Sequence, residues 1–500
     1  MIKTPYAFQT LILFLLIALS CNQQSKDPKI IPLENKVLTP VAETPSKATT
    51  SDGKFISWKE HLIDDPSISG IPISGSDGLV MADLDLDGYE DIVSVHESDT
   101  EYDGIAKGHI RIAFGSADPN QWELVTLAEG EEAGAAEDVS IADANGDGYP
   151  DIIAACELAH LIYFQNPGEN IRTTRWERLI PEITKDRGSF IRVFFADFNQ
   201  DGQPEVVTPN KGKQSPGQEE PLNPISWFEI NGDPLDQASW IEHELTRVII
   251  PINAEPVDLD QDGDLDIVGG SRGEGRIFWF ENLGTEEIKF KEHAIQLKGT
   301  AIPNDKKTPK YHKIEGTITT GFNMEYYDMN QDGRLDILLT ENIFTCLVWL
   351  EQPAEPHTPW QLHPIGEMLP DLLCGFTLGD INGDGHPDIM SGSYSRVSRD
   401  KDPEIKFDDP LGRLSWFEHP GDIRKPWIRH DISRRKRGMF DKFLARDMDK
   451  DGDLDFVSTR GNSLPYDGVF WLEQVRNPYP KAAFESAREK DSEEVTLSPL

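Results

Sequence analysis

The residues best suited to chemistry in this chain are the oxygen-bearing side chains of an acidic nonapeptide that occurs seven times. Its form is Asp-x-Asp/Asn-x-Asp-Gly-x-x-Asp/Glu, and the first copy runs from Asp83 to Asp91. Oxygens at positions 1, 3, 5 and 9, with a glycine at position 6 for a sharp turn, suit a hard cation of the size of Ca²⁺. The sequence therefore predicts up to seven structural calcium sites. The predicted ligands are Asp83, Asp85, Asp87, Asp91, Asp143, Asn145, Asp147, Asp151, Asp197, Asn199, Asp201, Glu205, Asp258, Asp260, Asp262, Asp266, Asp328, Asn330, Asp332, Asp336, Asp380, Asn382, Asp384, Asp388, Asp447, Asp449, Asp451 and Asp455.

The nonapeptide begins like the loop of an EF-hand, but its context differs. Position 12 of the first copy is Ser94 rather than a glutamate, and the residues around it, Ile92 to Val95, are typical of a strand. An EF-hand loop lies between two helices. The seven loops are therefore expected to connect strands.

Two aromatic signals accompany the loops, and their order indicates how the chain closes. One is a strand such as Trp416-Phe417-Glu418, and the other is a Trp-x-x-His segment or a variant of it; each occurs seven times. The first copy of the second signal, Trp58 to His61, precedes the first loop, and the last loop is followed by Trp471 but by no second signal. We therefore predict an all-β fold, a seven-bladed β-propeller closed by an N-terminal strand, which leaves no exposed sheet edge.

These repeats resemble those of the FG-GAP/VCBS family, the calcium-loop propellers also seen in integrin alpha-subunit heads and in many bacterial surface lipoproteins. The resemblance covers residues 54–475 and implies both the propeller fold and calcium binding. A sugar dehydratase, aldos-2-ulose dehydratase, is similar to this chain in its repeat pattern. One fold hosts adhesion, binding and enzymatic chemistry, so the resemblance leaves the function open.

The N-terminal segment indicates export. Residues 1–20 read as a signal peptide, since the apolar stretch from Leu11 to Leu19 is too short to span a bilayer. The segment Ala18-Leu19-Ser20-Cys21 resembles a bacterial lipoprotein processing box, with Cys21 as the lipidated residue; plain secretion is the alternative. Residues 21–53 are expected to form the lipidated N-terminus and a flexible tether, and residues 476–500 a polar tail. The expected location is the outer membrane of a Gram-negative bacterium, facing the surface or the periplasm, with membrane contact through the lipid only.

The composition limits the partners. The formal net charge is −40, and seven divalent cations would reduce but not reverse it, which argues against nucleic acid as a partner. The odd number of cysteines beyond Cys21, in apolar contexts, favours buried thiols over a disulfide framework.

A ring of polar residues follows the strand after each loop, five and six residues past the ninth position. In the family that this chain resembles, the acidic loop joins the innermost strand to the second strand, which implies that this ring lies on the face opposite the loops. Connections into the inner strands reach the same face and add Arg192, Glu255, Glu325 and Lys442. We expect the anion-binding residues to be Arg192, Lys211, Arg272 and Arg460. The proton-transfer candidates are His96, His160, His312 and Tyr394.

Cations beside proton-transfer groups suit an acidic oligosaccharide or polysaccharide. The leading hypothesis is a carbon-oxygen lyase, either a sugar dehydratase or an oligosaccharide lyase, that abstracts the proton alpha to a uronate carboxylate and forms an unsaturated uronate. No G-x-S-x-G or HExxH motif points to another reaction. The alternatives are a non-catalytic glycan-binding propeller that serves a glycan importer complex, and a protein-adhesion propeller.

Overall fold

The structure is a computed structural model. It describes residues 39–98, 104–158, 160–214, 221–284, 287–299, 314–316, 319–340, 346–355, 358–395, 409–463 and 465–488. The predicted signal peptide, Cys21 and His312 lie outside the described residues. Within the described part of the chain, no helix is long and apolar enough to cross a membrane.

The first strand, β1 (Phe55–Asp64), belongs to the last blade, and the strands that follow build the blades in chain order. Blades 1 to 4 each contain four antiparallel strands. They are β2 (Ser76–Ala82), β3 (Asp91–His96), β4 (His109–Phe114) and β5 (Glu123–Glu129); β6 (Ala136–Ala142), β7 (Asp151–Cys156), β8 (His160–Gln165) and β9 (Glu177–Leu179); β10 (Phe194–Ala196), β11 (Glu205–Pro209), β12 (Leu222–Ile230) and β13 (Trp240–Ile249); and β14 (Pro251–Val257), β15 (Asp266–Ser271), β16 (Arg276–Asn282) and β17 (Phe290–Ala294).

Blades 5 to 7 follow the same plan, and blades 5 and 7 have additional strands at their outer edges. Their strands are β18 (Leu297–Gly299), β19 (Ile314–Gly316), β20 (Met324–Tyr327), β21 (Asp336–Thr340), β22 (Leu347–Glu351) and β23 (Trp360–Gly366); β24 (Leu372–Gly379), β25 (Asp388–Tyr394), β26 (Gly412–Glu418) and β27 (Ile428–Arg435); and β28 (Phe443–Arg446), β29 (Asp455–Arg460), β30 (Gly468–Asn477) and β31 (Phe484–Glu485), which are joined by β1. In blade 5, β18 pairs in parallel with β23 and antiparallel with β19. Among the described residues, the helical elements are α1 (Pro66–Ser69) and four 3₁₀ turns, at Gly130–Ala133, Gly168–Asn170, Glu182–Thr184 and Gln237–Ser239.

The second and third strands of each blade form its core. Every residue of β3, β4 and β7 is buried, as expected for strands packed on both faces, and these strands are rich in β-branched and aromatic residues. Outer strands such as β5 and β17 have more exposed residues. Apolar side chains from neighbouring blades share clusters, as where Val95 and Ile112 of blade 1 lie with Ile162 and Phe164 of blade 2.

Closure by the N-terminal strand is confirmed. β1 runs antiparallel to β30, with Phe55 opposite Asn477 and Asp64 opposite Val469. Trp58 is 2% exposed, and its ring centroid lies 5.7 Å from that of Phe456 in the same blade. The fold is therefore the predicted all-β propeller of seven blades, in which the last blade takes its outer strand from the start of the chain.

The segments that flank the propeller are more ordered than the sequence indicated. β30 extends to Asn477, inside the predicted polar tail, and β31 pairs in parallel with β1. From the predicted tether, Ala42 and Ala48 join Phe484 in the apolar cluster of the last two blades. The reason is hydrophobic burial at the outer edge of β1, which these short apolar segments cover.

Five of the aromatic pairs form one repeated unit. In each, a histidine of the outer strand stacks on the tryptophan directly opposite, with ring centroids 4.0 to 4.7 Å apart, and its Nε2 lies 2.5 to 3.3 Å from a glutamate carboxylate. The units are His61–Trp471–Glu473, His243–Trp227–Glu229, His293–Trp279–Glu281, His363–Trp349–Glu351 and His430–Trp416–Glu418. These residues stabilise cross-strand packing, which accounts for their recurrence in the sequence.

Candidate functional site

The seven acidic loops share one backbone conformation. Position 4 has a positive φ in all seven copies, from 58° to 74°, at Leu86, Gly146, Gln200, Gln261, Gln331, Gly383 and Lys450. The glycine at position 6 has φ from 87° to 103°, at Gly88, Gly148, Gly202, Gly263, Gly333, Gly385 and Gly452. Left-handed φ angles at these two positions turn the chain tightly enough for side chains 1, 3 and 5 to converge.

The carboxylate at position 9 stabilises each loop through hydrogen bonds from the backbone. One of its oxygens accepts a hydrogen bond from the backbone N–H of position 2 in every copy, as between Leu84 and Asp91 at 2.9 Å. In six copies the other oxygen accepts a backbone N–H from the third strand or from the residue that follows it, as from Gly115 to Asp91 at 2.8 Å. Burial raises the pKa of Asp91 to about 7. Sequence reasoning named this residue only as a ligand and missed that it also ties the loop to the blade.

The loop residues fit a hard cation. In the first, fourth and seventh loops, three carboxylates bring oxygens within 4.8 Å of one another, and the other four loops have asparagine at position 3. Oδ1 of Asp258 is buried and has no hydrogen-bond partner among the described residues. In the first loop, Arg172 of blade 2 contacts Asp85 at 2.8 Å and Asp87 at 3.1 Å and thereby offsets part of the negative charge. A bound Ca²⁺ would be held by the side chains at positions 1, 3, 5 and 9 and would neutralise their mutual repulsion.

On the face opposite the loops, the blades surround a cavity of about 340 Å³, which we call the axial pocket. Its lining is mixed, with carboxyl, cationic, amide, aromatic and aliphatic side chains. The lining residues are Gly75, Asp77, Glu97, Glu137, Glu157, Ile191, Lys211, Gln214, Arg272, Phe322, Cys374, Tyr394, Met439, Asp441 and Asn462. Cavities of this size accommodate small ligands of one or two sugar units.

The predicted polar ring divides into two sets. Among the described residues six past the ninth position, Glu97, Glu157, Lys211, Arg272 and Tyr394 line the axial pocket. The described residues at the fifth position after the ninth are instead buried inside the blades. They are His96, Cys156, Asn210, Ser271, Ser393 and Arg460. Successive side chains of a strand point to opposite sides, so only one member of each pair can face the axis.

Three of the predicted anion-binding residues lie at or beside the pocket. Arg272 is exposed, with its guanidinium 5.9 Å from the ring centroid of Phe322. Lys211 is buried and pairs with the carboxylate of Glu157. Arg192 lies 4.3 Å from the Phe322 ring and pairs at 3.2 Å with Asp441, which lines the pocket. Two of these three cations therefore already have carboxylate partners.

Arg460 does not face the pocket. It is 1% exposed and lies 3.3 Å from Glu60, and its Nε donates a hydrogen bond to the carbonyl of Tyr466. It is the last residue of β29 and belongs to a buried ion cluster with Glu60 and Arg435. The structure therefore places Arg460 outside the lining of the axial pocket.

The two described histidines among the proton-transfer candidates also lie away from the axis. His96 is fully buried, with Nδ1 2.7 Å from the hydroxyl of Ser76 and Nε2 3.0 Å from that of Ser94. His160 lies 3.0 Å from the carbonyl of Glu132. Burial lowers the pKa of both imidazoles. Only Tyr394 of the described candidates lines the pocket, and His312 falls outside the described residues.

Carboxyl groups of the inner strands are the part of the site that sequence reasoning missed. Asp77 of β2, Glu137 of β6 and Asp441, just before β28, line the pocket beside Glu97 and Glu157. Burial, reinforced by the negative charge of Glu157, raises the pKa of Glu137 to about 8. The available signal was a charged residue in an otherwise apolar inner strand, which is costly unless it is paired or functional.

The sequence comparisons agree with this fold. Residues 83–154, 143–208 and 258–339 match a family described as FG-GAP-like repeat. No curated protein matches the chain. The molecule belongs to the class of seven-bladed β-propellers. More particularly, the segments that match the FG-GAP-like repeat lie in blades 1 to 5, and each of the seven blades has an acidic loop between its first and second strands.

Proposed function

We propose that the axial pocket binds an acidic sugar unit and that the protein is a carbon-oxygen lyase, a sugar dehydratase or oligosaccharide lyase. The observation that carries this proposal is the meeting of Lys211, Arg272 and Tyr394 in one cavity of sugar size. Phe322 adds an apolar ring surface, and sugars commonly pack their C–H faces against such rings. A pocket with a few convergent polar groups and carboxyls of perturbed pKa is the expected form of an active site.

The reaction requires three groups. A cation must neutralise the uronate carboxylate so that the proton alpha to it becomes more acidic, and Arg272 has the exposure for this task. A base then takes that proton, and Tyr394, which would act as its phenolate, is the candidate that remains at the pocket. As the C4–C5 double bond forms, the oxygen on C4 departs with a proton, which the ammonium of Lys211, held by Glu157, is able to donate.

The test is a screen of the full chain against acidic oligosaccharides, read by the ultraviolet absorbance of an unsaturated uronate. Once a substrate is found, Arg272→Ala is expected to lower kcat/KM by two to three decades, which is about 3 to 4 kcal/mol, by analogy with loss of one transition-state donor. The matched control is Arg175→Ala, because the Arg175 side chain is 77% exposed and lies outside the pocket lining.

The outcomes separate the hypotheses. Retention of full activity by Arg272→Ala, Lys211→Ala and Tyr394→Phe would reject the axial pocket as the active site. Saturable binding of an acidic glycan without turnover, lost in Arg272→Ala, would favour the glycan-binding alternative. If neither turnover nor glycan binding is detected, protein adhesion through this face is the hypothesis that remains.

We further propose that the seven loops bind structural Ca²⁺ and that the protein is anchored to the outer membrane through a lipid on Cys21. The oxygen ligands and shared loop conformation support the first statement, and the Ala18-Leu19-Ser20-Cys21 box supports the second. Metabolic palmitate labelling of the wild type and of Cys21→Ser tests the anchor. Equal labelling of the two would contradict it.

A further inference from the structure

Three carboxyl groups converge at one side of the axial pocket. Asp77 lies in β2, Glu97 directly follows β3, and Glu137 lies in β6 of the next blade. One oxygen from each lies within 4.8 Å of the others. Their exposed fractions are 3%, 6% and 9%, so none of the three is a solvated surface acid.

Nearby cations offset only part of the negative charge of this cluster. Lys211 pairs with Glu157 and Arg192 pairs with Asp441, and among the described residues no ion pair joins a lysine or arginine to Asp77, Glu97 or Glu137. Three buried carboxyls that lack a direct ion pair are costly unless they are protonated or share a cation.

A second observation points to a ligand. Oδ2 of Asp77 is buried in the lining of the pocket, and it has no hydrogen-bond partner among the described residues. Glu97 differs, since Gln214 donates a hydrogen bond to it at 3.0 Å. Native proteins seldom leave a buried carboxylate oxygen unpaired, and the exceptions commonly mark an ion or a water.

The geometry suits a hard divalent cation. Oxygens that bind one Ca²⁺ at 2.3 to 2.6 Å are at most about 5.2 Å apart, so the spacing of the three carboxyl oxygens is within range. All ligands are oxygens, which favours Ca²⁺ or Mn²⁺ over metals that prefer nitrogen or sulfur. The pocket also has room for the waters that would complete six or more ligands.

We propose that Asp77, Glu97 and Glu137 bind one hard divalent cation, with Ca²⁺ as the reference ion, at the propeller axis and apart from the seven acidic loops. The site joins blade 1 to blade 2, because two ligands come from the first blade and one from the second. It opens to the axial pocket, where the ion would face a bound ligand. The proposal stands whether or not the pocket acts on sugars.

The first experiment counts bound Ca²⁺ per chain by equilibrium dialysis and metal analysis. The double variant Asp77→Asn/Glu137→Gln is expected to bind one ion fewer than the wild type. The matched control Glu131→Gln/Glu177→Gln removes two exposed carboxylates and should bind as many ions as the wild type. Equal ion counts in a folded axial variant would overturn the proposal.

A second experiment needs no variant. Crystals of the wild-type protein soaked in Tb³⁺ are expected to show an anomalous peak within about 2.6 Å of oxygens of Asp77, Glu97 and Glu137. Peaks confined to the seven loops would refute the axial site even if the double variant failed to fold.

Discussion

Glu60 is the residue through which closure of the propeller is best tested. It lies in β1 and is 3% exposed, and its carboxylate is 3.4 Å from Arg435 and 3.3 Å from Arg460. It also accepts a hydrogen bond from the backbone N–H of Ala487 at 3.1 Å. One carboxylate thus connects the closing strand to blade 6, to the rest of blade 7 and to the C-terminal segment.

The variant Glu60→Gln keeps the shape of this side chain but removes its charge. Loss of one partner from a buried ion cluster costs about 3 to 5 kcal/mol, because the remaining buried charges lose their compensation. With an unfolding entropy of about 2.1 cal/mol/K per residue and roughly 450 residues in the propeller, the expected fall in Tm is about 3 to 5 °C. The control Lys59→Gln alters the adjacent, exposed member of a surface ion pair and should cost less than about 1 kcal/mol.

The pH dependence gives an independent check. Burial alone would raise the pKa of Glu60, but the charges of Arg435 and Arg460 outweigh it and hold the pKa below its ordinary value of 4.5. A depressed pKa contributes stability above the unfolded-state pKa, and that stability is lost as the pH falls through the folded-state pKa. The difference in Tm between the wild type and Glu60→Gln, measured by calorimetry, should therefore be full at neutral pH, begin to shrink as the pH falls past 4.5, and vanish only below the folded-state pKa. A difference under 1 °C at neutral pH, or one that persists unchanged in acid, would refute this reasoning.

Two further predictions concern the same architecture. Chelation of divalent cations should lower the Tm by many degrees, because each loop gathers three or four carboxylates that then repel one another; an unchanged melt with no bound metal in the untreated protein would exclude structural calcium. Deletion of the chain through His61 removes most of β1 and should destabilise the protein far more than deletion of residues 489–500, with thermal melts of both truncations as the measurement; equal Tm values would show that closure does not depend on β1.

Repetition explains why the fold was predictable. Seven copies of the loop fix the number of blades, and the displaced Trp58–His61 segment assigns the closing strand. The flanking segments carry no such repeat. A few apolar residues, among them Ala48 and Phe484, pack on the last blade only because β1 leaves its outer edge uncovered there. Burial of this kind depends on tertiary context, which a periodic pattern does not contain.

The sequence predicted the face of the propeller on which the candidate site lies, but it did not predict which residues line the pocket. Counting from each loop identified residue pairs, and strand alternation then sends Glu97 and Lys211 to the pocket but His96 and Arg460 into the blades. The cluster of Asp77 and Glu137 had no sequence signal in common with the repeat. Only the neighbouring positions of two inner strands bring these carboxyls together.

The charges of the axial pocket link the two proposals. Lys211 and Arg192 pair with Glu157 and Asp441. Arg272 lines the same pocket as Lys211 and the three carboxyls of the axial cluster. A uronate carboxylate that entered this pocket would meet a net negative field unless the cluster were protonated or held a cation. A divalent cation on Asp77, Glu97 and Glu137 would offset that negative charge and add a positive centre to the pocket. Binding of an acidic sugar in the pocket is therefore expected to require the bound cation, whereas binding of a neutral sugar would not depend on it.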